Sequence, residues 1–277
     1  MSSYPIEVSA VAEEEYTEEI DPAEVLEMAA HAKASGDLAM AARMFNTAGN
    51  IYMSVAEYEE ALQAFQESLE LYRQAGDEVG AADALYNLGV ALINLERWAD
   101  AAATCDEAVK LFQKISNDAG SADALYGLAL AKLGMGEFDE AMSLFKKAQR
   151  AYKALGNEQG VATIVMDMGN AYAEKGEHDE AISCYRKAME IKPDDYEAWN
   201  NMGVAYAKKD EYDEASRAFS KALELLGNIE ELVGPTLVNR ASSYIAVKRY
   251  SSALKDAERA YRIAREMESR PLIQAAA

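Results

Sequence analysis

The sequence predicts an all-α protein built as a solenoid of about six helix-turn-helix units, preceded by one extra N-terminal helix. Two observations support this prediction. The segment that begins at Ala84 matches the segment that begins at Ala124, forty residues later. Small residues also recur at fixed places between large apolar ones, and two helices approach closely only where side chains are small. We therefore expect each unit to be a pair of packed antiparallel helices.

The repeat register gives units that begin at successive steps of 40, 40, 40, 34 and 38 residues. These units cover residues 42–81, 82–121, 122–161, 162–195, 196–233 and 234–267. The extra six residues of the longer units should lengthen the second helix of one unit and the first helix of the next. Three places are small in every unit and should mark the helix crossings. The eighth place holds Gly49, Gly89, Ala129, Gly169, Gly203 and Ala241; the twentieth holds Ala61, Ala101, Ala141, Ala181, Ala215 and Ala253; the twenty-seventh holds Ser68, Ala108, Ala148, Ala188, Ala222 and Ala260.

The two chain ends are predicted to differ from the repeats. Residues 1–20 are rich in Glu and contain no Lys or Arg, so we expect a disordered acidic tail that solubilises the protein or occupies a basic site. One helix and a turn at residues 35–37 should precede the first unit. The last helix should end near Met267, because Pro271 disfavours its continuation, and residues 268–277 should form a short tail. No capping helix follows, which favours either end-to-end dimerisation or a last helix that is polar enough alone.

The composition excludes several classes of partner. Forty-eight acidic residues against 27 basic ones give a net charge of −21, which disfavours nucleic acid and anionic membranes. The chain has no apolar run long enough for membrane insertion and no secretion signal at its start, so we expect a cytoplasmic protein. Its 2 cysteines should stay reduced there.

The pair His178 and Cys184 is the strongest candidate for a reactive or metal-binding site. His178 occupies the seventeenth place, which is aromatic in every other unit, and Cys184 lies about 240° further round the helix, so their side chains should diverge. Cys105 takes an apolar core place, and His31 stands alone. Acidic pairs recur at the start of each second helix, where capping explains them better than catalysis. We therefore expect no metal, no cofactor and no enzymatic activity.

The segment from Ala198 to Leu225 resembles the tetratricopeptide repeat. The matching residues are Trp199, Gly203, Tyr206, Ala215, Phe219 and Ala222. The resemblance covers nearly all of the chain after Asp21, and it implies a right-handed α-α superhelical solenoid whose first helices line a concave groove. The 40-residue form resembles the repeats of mitotic-spindle adaptors and kinesin light chains, and it is also similar to bacterial peptide-sensing regulators.

The resemblance also implies which residues face the groove. Asparagines there can bond to the backbone of an extended peptide, although they can also simply follow the repeat consensus. Two tyrosines offer rigid apolar surface, and the excess of acids favours a basic or neutral partner. Chaperone-tail receptors of this fold clamp a carboxylate with Lys and Arg, and the corresponding places here are not basic. The predicted groove residues are Asn50, Asp83, Tyr86, Asn87, Val90, Asp123, Tyr126, Leu130, Met166, Asn170, Asn200, Asn201, Val204 and Asn239.

These observations lead to two functional hypotheses. The first is a non-enzymatic scaffold or adaptor that binds a non-acidic protein segment in the groove. The alternative is a structural assembly subunit that forms homodimers through its uncapped C-terminal end.

Overall fold

The computed structural model describes residues 21–227 and 229–274, without the side chains of Glu230 and of residues 268–274. The predicted acidic tail, residues 1–20, therefore lies outside the described residues. Within the described ranges the chain consists of helices α1 to α13 and contains no strand, which confirms the all-α prediction. It divides into two compact halves, an N-terminal half up to Gly156 and a C-terminal half from Asn157.

The N-terminal half contains the extra helix and the first three repeats. Each helix packs against the one that follows it in this half, and the first helices α2, α4 and α6 also pack against one another in turn. Helix α1 ends before a turn at Gly36, as predicted. The helices are α1 (Pro22–Ser35), α2 (Leu38–Ser54), α3 (Tyr58–Ala75), α4 (Glu78–Asn94), α5 (Trp98–Lys114), α6 (Asp118–Gly134) and α7 (Phe138–Ala154).

The C-terminal half contains the last three repeats, with α8, α10 and α12 as first helices and α9, α11 and α13 as second helices. The predicted lengthening is confirmed, because α8 has 18 residues whereas α10, which follows the 34-residue step, has 13. The helices are α8 (Glu158–Lys175), α9 (His178–Ile191), α10 (Tyr196–Lys208), α11 (Tyr212–Leu226), α12 (Glu230–Ala246) and α13 (Tyr250–Gln274).

The predicted end of the last helix near Met267 is wrong. Helix α13 runs through Pro271 to Gln274. A proline removes one backbone donor from a helix, but the residues around this one, including Arg270, Leu272 and Gln274, have high helix propensity. The local preference of its neighbours therefore outweighs the single proline.

The small residues lie at the helix crossings. All eighteen of them are buried. A Cβ atom added at Gly49 would lie 2.5 Å from the ring of Phe65, and one added at Gly203 would lie 2.7 Å from the ring of Phe219. In both repeats the first helix therefore rests directly on an aromatic ring of the second helix. This contact confirms the register and explains why the eighth place is never large.

First and second helices begin differently. Asp37, Asp77 and Asn117 each accept a hydrogen bond from a backbone N–H in the first turn of a first helix. The second helices α3, α5, α7, α9 and α11 carry acids in their first turn, but no side chain there accepts a capping bond. The predicted placement of acids at the positive end of each of these helix dipoles is confirmed. Some of these acids also form ion pairs, such as Asp100 with Arg97 and Asp179 with Lys209.

Candidate functional site

Within each half, most of the predicted groove residues share one side of the first helices, and we call this side the first-helix face. Most of them have solvent-accessible side chains. Asn50, Asp83 and Val204 are exposed, and the partly exposed members are Tyr86, Asn87, Asp123, Tyr126, Leu130, Asn170, Asn200, Asn201 and Asn239. These residues belong to both halves of the protein.

Val90 and Met166 do not belong to this accessible face. Val90 is 1% exposed and Met166 is 9% exposed, so their assignment to a binding surface is wrong. Helix α4, which carries Val90, packs directly against both α2 and α6. Burial of an apolar side chain between such neighbours is favoured over its exposure to water. The place in the repeat alone does not reveal how closely the neighbouring first helices approach.

Asparagine side chains join successive first helices in each half. The amide of Asn87 on α4 donates to Oδ1 of Asn46 on α2 at 3.1 Å. In the C-terminal half, the amide of Asn201 on α10 donates to Oδ1 of Asn170 on α8 at 3.1 Å. The hydroxyl of Tyr185 donates to the same Asn170 oxygen at 3.0 Å. The ladder thus has a structural role, while Asn87 and Asn201 each keep a carbonyl oxygen for another donor.

The N-terminal half places two carboxylates at the same position of neighbouring first helices, Asp83 on α4 and Asp123 on α6. Tyr152 donates its hydroxyl to Asp123. Desolvation raises the pKa of Asp123 even though this bond opposes the shift. Desolvation and the nearby Asp77 raise the pKa of Asp83. Neither Asp83 nor Asp123 forms an ion pair within residues 21–227 and 229–274, so both lack a compensating cation there.

Two tyrosines lie beside these carboxylates. Burial, followed by the charge of Asp123, raises the pKa of Tyr86 well above its ordinary value, so this phenol stays protonated. The ring of Tyr126 packs against Phe145 with the ring centroids 6.2 Å apart and the planes tilted by 47°. Both tyrosines remain partly exposed, and packing limits the conformational entropy that they would lose on binding a partner.

Sequence reasoning missed Tyr152, because this residue belongs to a second helix. Aromatic residues occur at the same place of all three 40-residue repeats, as Tyr72, Phe112 and Tyr152. These aromatic residues lie in the lengthened part of each second helix. Their recurrence is the sequence signal that could have indicated a contact with a neighbouring helix. It could not have shown that Tyr152 bonds to Asp123.

His178 and the two cysteines occupy structural positions. Helix α9 begins at His178, and neighbouring second helices begin at Phe138 and Tyr212. The Nδ1 atom of His178 is buried without a hydrogen-bond partner. Cys105 and Cys184 are both buried, and burial raises the pKa of Cys105 to about 12, which disfavours the reactive thiolate. In the part of the chain that the structure describes, no three His, Cys, Asp or Glu side chains are grouped in a way that could hold a metal ion.

Profiles of known families match the repeats found above. Tetratricopeptide repeat profiles match residues 48–79, 80–154 and 196–228, and a TPR repeat profile matches residues 169–210. The chain belongs to the tetratricopeptide repeat family. No curated protein matches its sequence. Among the helices that the structure describes, none is long and apolar enough to cross a membrane.

Solved structures show the same fold for this tetratricopeptide repeat protein. A signal transduction ATPase with numerous domains and a tetratricopeptide repeat sensor, from Pyrococcus horikoshii, matches with a TM-score of 0.65 and 17% identity, over 90% of this chain and 42% of that one. The apo form of RapI matches with a TM-score of 0.61 and 14% identity, over 82% and 99% of the two chains. MamA matches with a TM-score of 0.50 and 26% identity, over 69% and 94%.

Proposed function

We propose that this protein is a non-enzymatic scaffold that binds a basic or neutral protein segment on the first-helix face of its N-terminal half. The observation that carries the proposal is the pair of Asp83 and Asp123, two partly desolvated carboxylates without an ion-pair partner in the described chain. Leaving such charges unpaired costs free energy, and a Lys or Arg side chain of a partner would offset that cost.

The neighbouring side chains suit a peptide rather than a small molecule. Asn50 is exposed, and Asn87 retains its carbonyl oxygen, so both amides can bond to the backbone of an extended segment. Tyr86 and Tyr126 are partly exposed, and tyrosine is a residue type that often carries binding energy. The proposed site therefore combines backbone recognition with selection for positive charge.

Selection from a displayed library of random 12-residue peptides tests this proposal without assuming a partner. We expect the selected peptides to be enriched in Lys and Arg and depleted in Asp and Glu. The same selection with the Asp83→Asn, Asp123→Asn double variant should lose that enrichment. A matched control, Asp139→Asn on the second helix α7, should keep it. Enrichment of acidic peptides, or equal enrichment on the double variant, would disprove the proposal.

The alternative of a self-associating structural subunit has one supporting observation. The outward side of α13 exposes Tyr250, Leu254 and Tyr261. A last helix that remains exposed to water without a covering helix should be polar on its outer side and should not present three large apolar side chains there. Static light scattering of the full chain separates the two functions, because the assembly alternative requires a dimer that Leu254→Asp dissociates. The scaffold function requires no dimer.

A further inference from the structure

The outward side of helix α13 carries a continuous apolar stripe. Five residues, spaced four, three, four and three apart, lie on one side of this helix, and we call them the α13 outer face. They are Tyr250, Leu254, Ala257, Tyr261 and Ala264. The side chains of Tyr250, Leu254 and Tyr261 are 62%, 59% and 66% exposed. Ala257, between Leu254 and Tyr261, and Ala264, one turn after Tyr261, are also exposed. Such a stripe on the surface marks a site that something else covers.

The repeat itself shows what this face does elsewhere in the protein. The place of Leu254 is occupied by Leu62, Ile182 and Ser216 in three other repeats, and these side chains are only 4%, 5% and 4% exposed. In those repeats a further helical pair packs onto the second helix. No helix follows α13 in the described chain. The α13 outer face is therefore the surface that normally receives the next repeat, left without its neighbour.

The exposed charges on the described part of α13 are positive on balance, in a protein whose net charge is −21. The exposed charges of helix α13 are the cations Lys255, Arg259, Arg262 and Arg265 and the acids Glu258 and Glu266, so cations are in excess. None of the four cations forms an ion pair within the described residues. At the helical spacing Arg265 lies nearest the stripe, with Glu258 and Arg262 beyond it. Its buried acid, Asp256, is already paired with Arg240 through two bonds of 2.7 Å. The covering element should therefore combine apolar side chains with negative charge.

The first 20 residues of this chain have that composition. They include Glu7, Glu13, Glu14, Glu15, Glu18 and Glu19 and no Lys or Arg. They also carry apolar residues at Tyr4, Ile6, Val8, Val11, Tyr16 and Ile20. The stripe from Tyr250 to Ala264 is about 21 Å long at the helical rise, and seven extended residues span about that distance. The segment is thus long enough to cover the stripe.

We propose that residues 1–20 dock on the α13 outer face, with their apolar side chains on the stripe and their glutamates toward the cations on its flank, Arg265 and Arg262. A second copy of α13 is the less favourable occupant. Its exposed cations outnumber its exposed acids, Glu258 and Glu266, so two copies would bring net like charge together, and like charges across an interface repel. This docking goes beyond the binding proposed for the first-helix face, because it closes the open end of the repeat array with a segment of the protein itself.

Zero-length carbodiimide cross-linking of the full chain, followed by peptide mass spectrometry, tests this docking. Lys255 is the only lysine of α13, so a glutamate of residues 7–19 should become linked to Lys255 in preference to other exposed lysines, such as Lys110 and Lys153. The yield of this link should fall about tenfold or more in the double variant Leu254→Asp, Tyr261→Asp, because both large apolar contacts are lost.

Controls distinguish specific docking from random capture of an acidic tail. Val79→Asp changes an equally exposed valine of α4, 55% accessible, and should leave the link to Lys255 unchanged. The Asp83→Asn, Asp123→Asn variant should also leave the link to Lys255 unchanged. The docking on α13 and the binding on the first-helix face can therefore be disproved separately. Mixing isotope-labelled with unlabelled chains shows whether the segment comes from the same molecule or another, and either result agrees with docking. Links spread evenly over exposed lysines would overturn the proposal. So would a dimer that depends on Leu254 and forms without the link.

Discussion

The first helices of the two halves use polar residues in different ways. In the N-terminal half, Asp83 and Asp123 lie on the first-helix face, and neither forms an ion pair with another described residue. In the C-terminal half, the Arg240 guanidinium of first helix α12 is neutralised inside the protein by Asp256 and also bonds to Ser220 at 3.0 Å. The repeat thus fixes where helices cross, while a charged residue at a given place can serve either packing, as Arg240 does, or binding.

The largest expected effect comes from breaking the internal pair of the C-terminal half. Arg240→Ala leaves Asp256, which is 7% exposed, without its partner. We expect the free energy of unfolding to fall by about 3–5 kcal/mol, because an uncompensated buried charge is costly. Urea unfolding measures the change. The control Arg217→Ala removes an exposed pair with Glu214 and should cost less than about 1 kcal/mol. Equal losses in the two variants would contradict a structural role for Arg240.

Overpacking a helix crossing is the next largest effect, and it concerns a feature common to both halves. Ala141 is 0% exposed at the twentieth place of the third repeat. Ala141→Leu should destabilise the protein by about 1–3 kcal/mol, because three added carbon atoms must fit where two helices touch. Ala154→Leu, at the exposed end of the same helix, provides the control for differential scanning calorimetry. A melting temperature unchanged by Ala141→Leu would contradict the register.

The asparagine bonds should contribute less, and similarly in each half. Asn87→Ala leaves Oδ1 of Asn46 without its donor, and we expect a loss of about 1 kcal/mol in unfolding free energy. Asn201→Ala should cost somewhat less, because Asn170 keeps the bond from Tyr185. Chemical denaturation of both variants measures the difference. A larger loss for Asn201→Ala than for Asn87→Ala would contradict the compensating role of the Tyr185 bond.

The smallest expected effect is a gain in stability at the turns between first and second helices. Glu96 and Asp210 occupy the left-handed region, with φ of 55° and 60°. Glu96→Gly should relieve this strain and stabilise the protein by up to about 1 kcal/mol, after the entropic cost of glycine. Asp210→Gly should gain less, because Asp210 accepts a 2.5 Å bond from Tyr212 that glycine cannot replace. Thermal unfolding that shows a loss for Glu96→Gly would contradict the strain argument.

The fold was predictable because steric rules repeat along the chain. A place that is always small, such as that of Ala141, must lie where backbones approach, and this follows from the sequence alone. The extent of α13 was not predictable from Pro271, since the preference of several neighbours decided it. The burial of Val90 depended on how closely first helices approach, and a repeat register carries no information about that distance.

The candidate site was only partly predictable for a similar reason. The face that carries Asp83 and Asp123 follows from the repeat, since each place has a fixed direction around its helix. Which polar side chains bond to one another is decided by particular contacts between helices. Tyr152 reaches Asp123 from a second helix. Arg240 pairs with Asp256 sixteen residues away, and no periodic pattern marks that pair.

If Asp83 and Asp123 recognise positive charge, the affinity of this protein for a Lys-containing peptide must depend on pH. A selected Lys-containing peptide would be titrated calorimetrically into the wild type, the Asp83→Asn, Asp123→Asn variant and the Asp139→Asn control. Desolvation raises the pKa of both carboxyl groups, so the wild type should lose affinity as pH falls, beginning at a higher pH than a solvated carboxylate would require. At neutral pH the double variant should bind at least about tenfold more weakly, with little remaining pH dependence, while the control should match the wild type. Equal affinities and equal pH profiles for the wild type and the double variant would contradict the account.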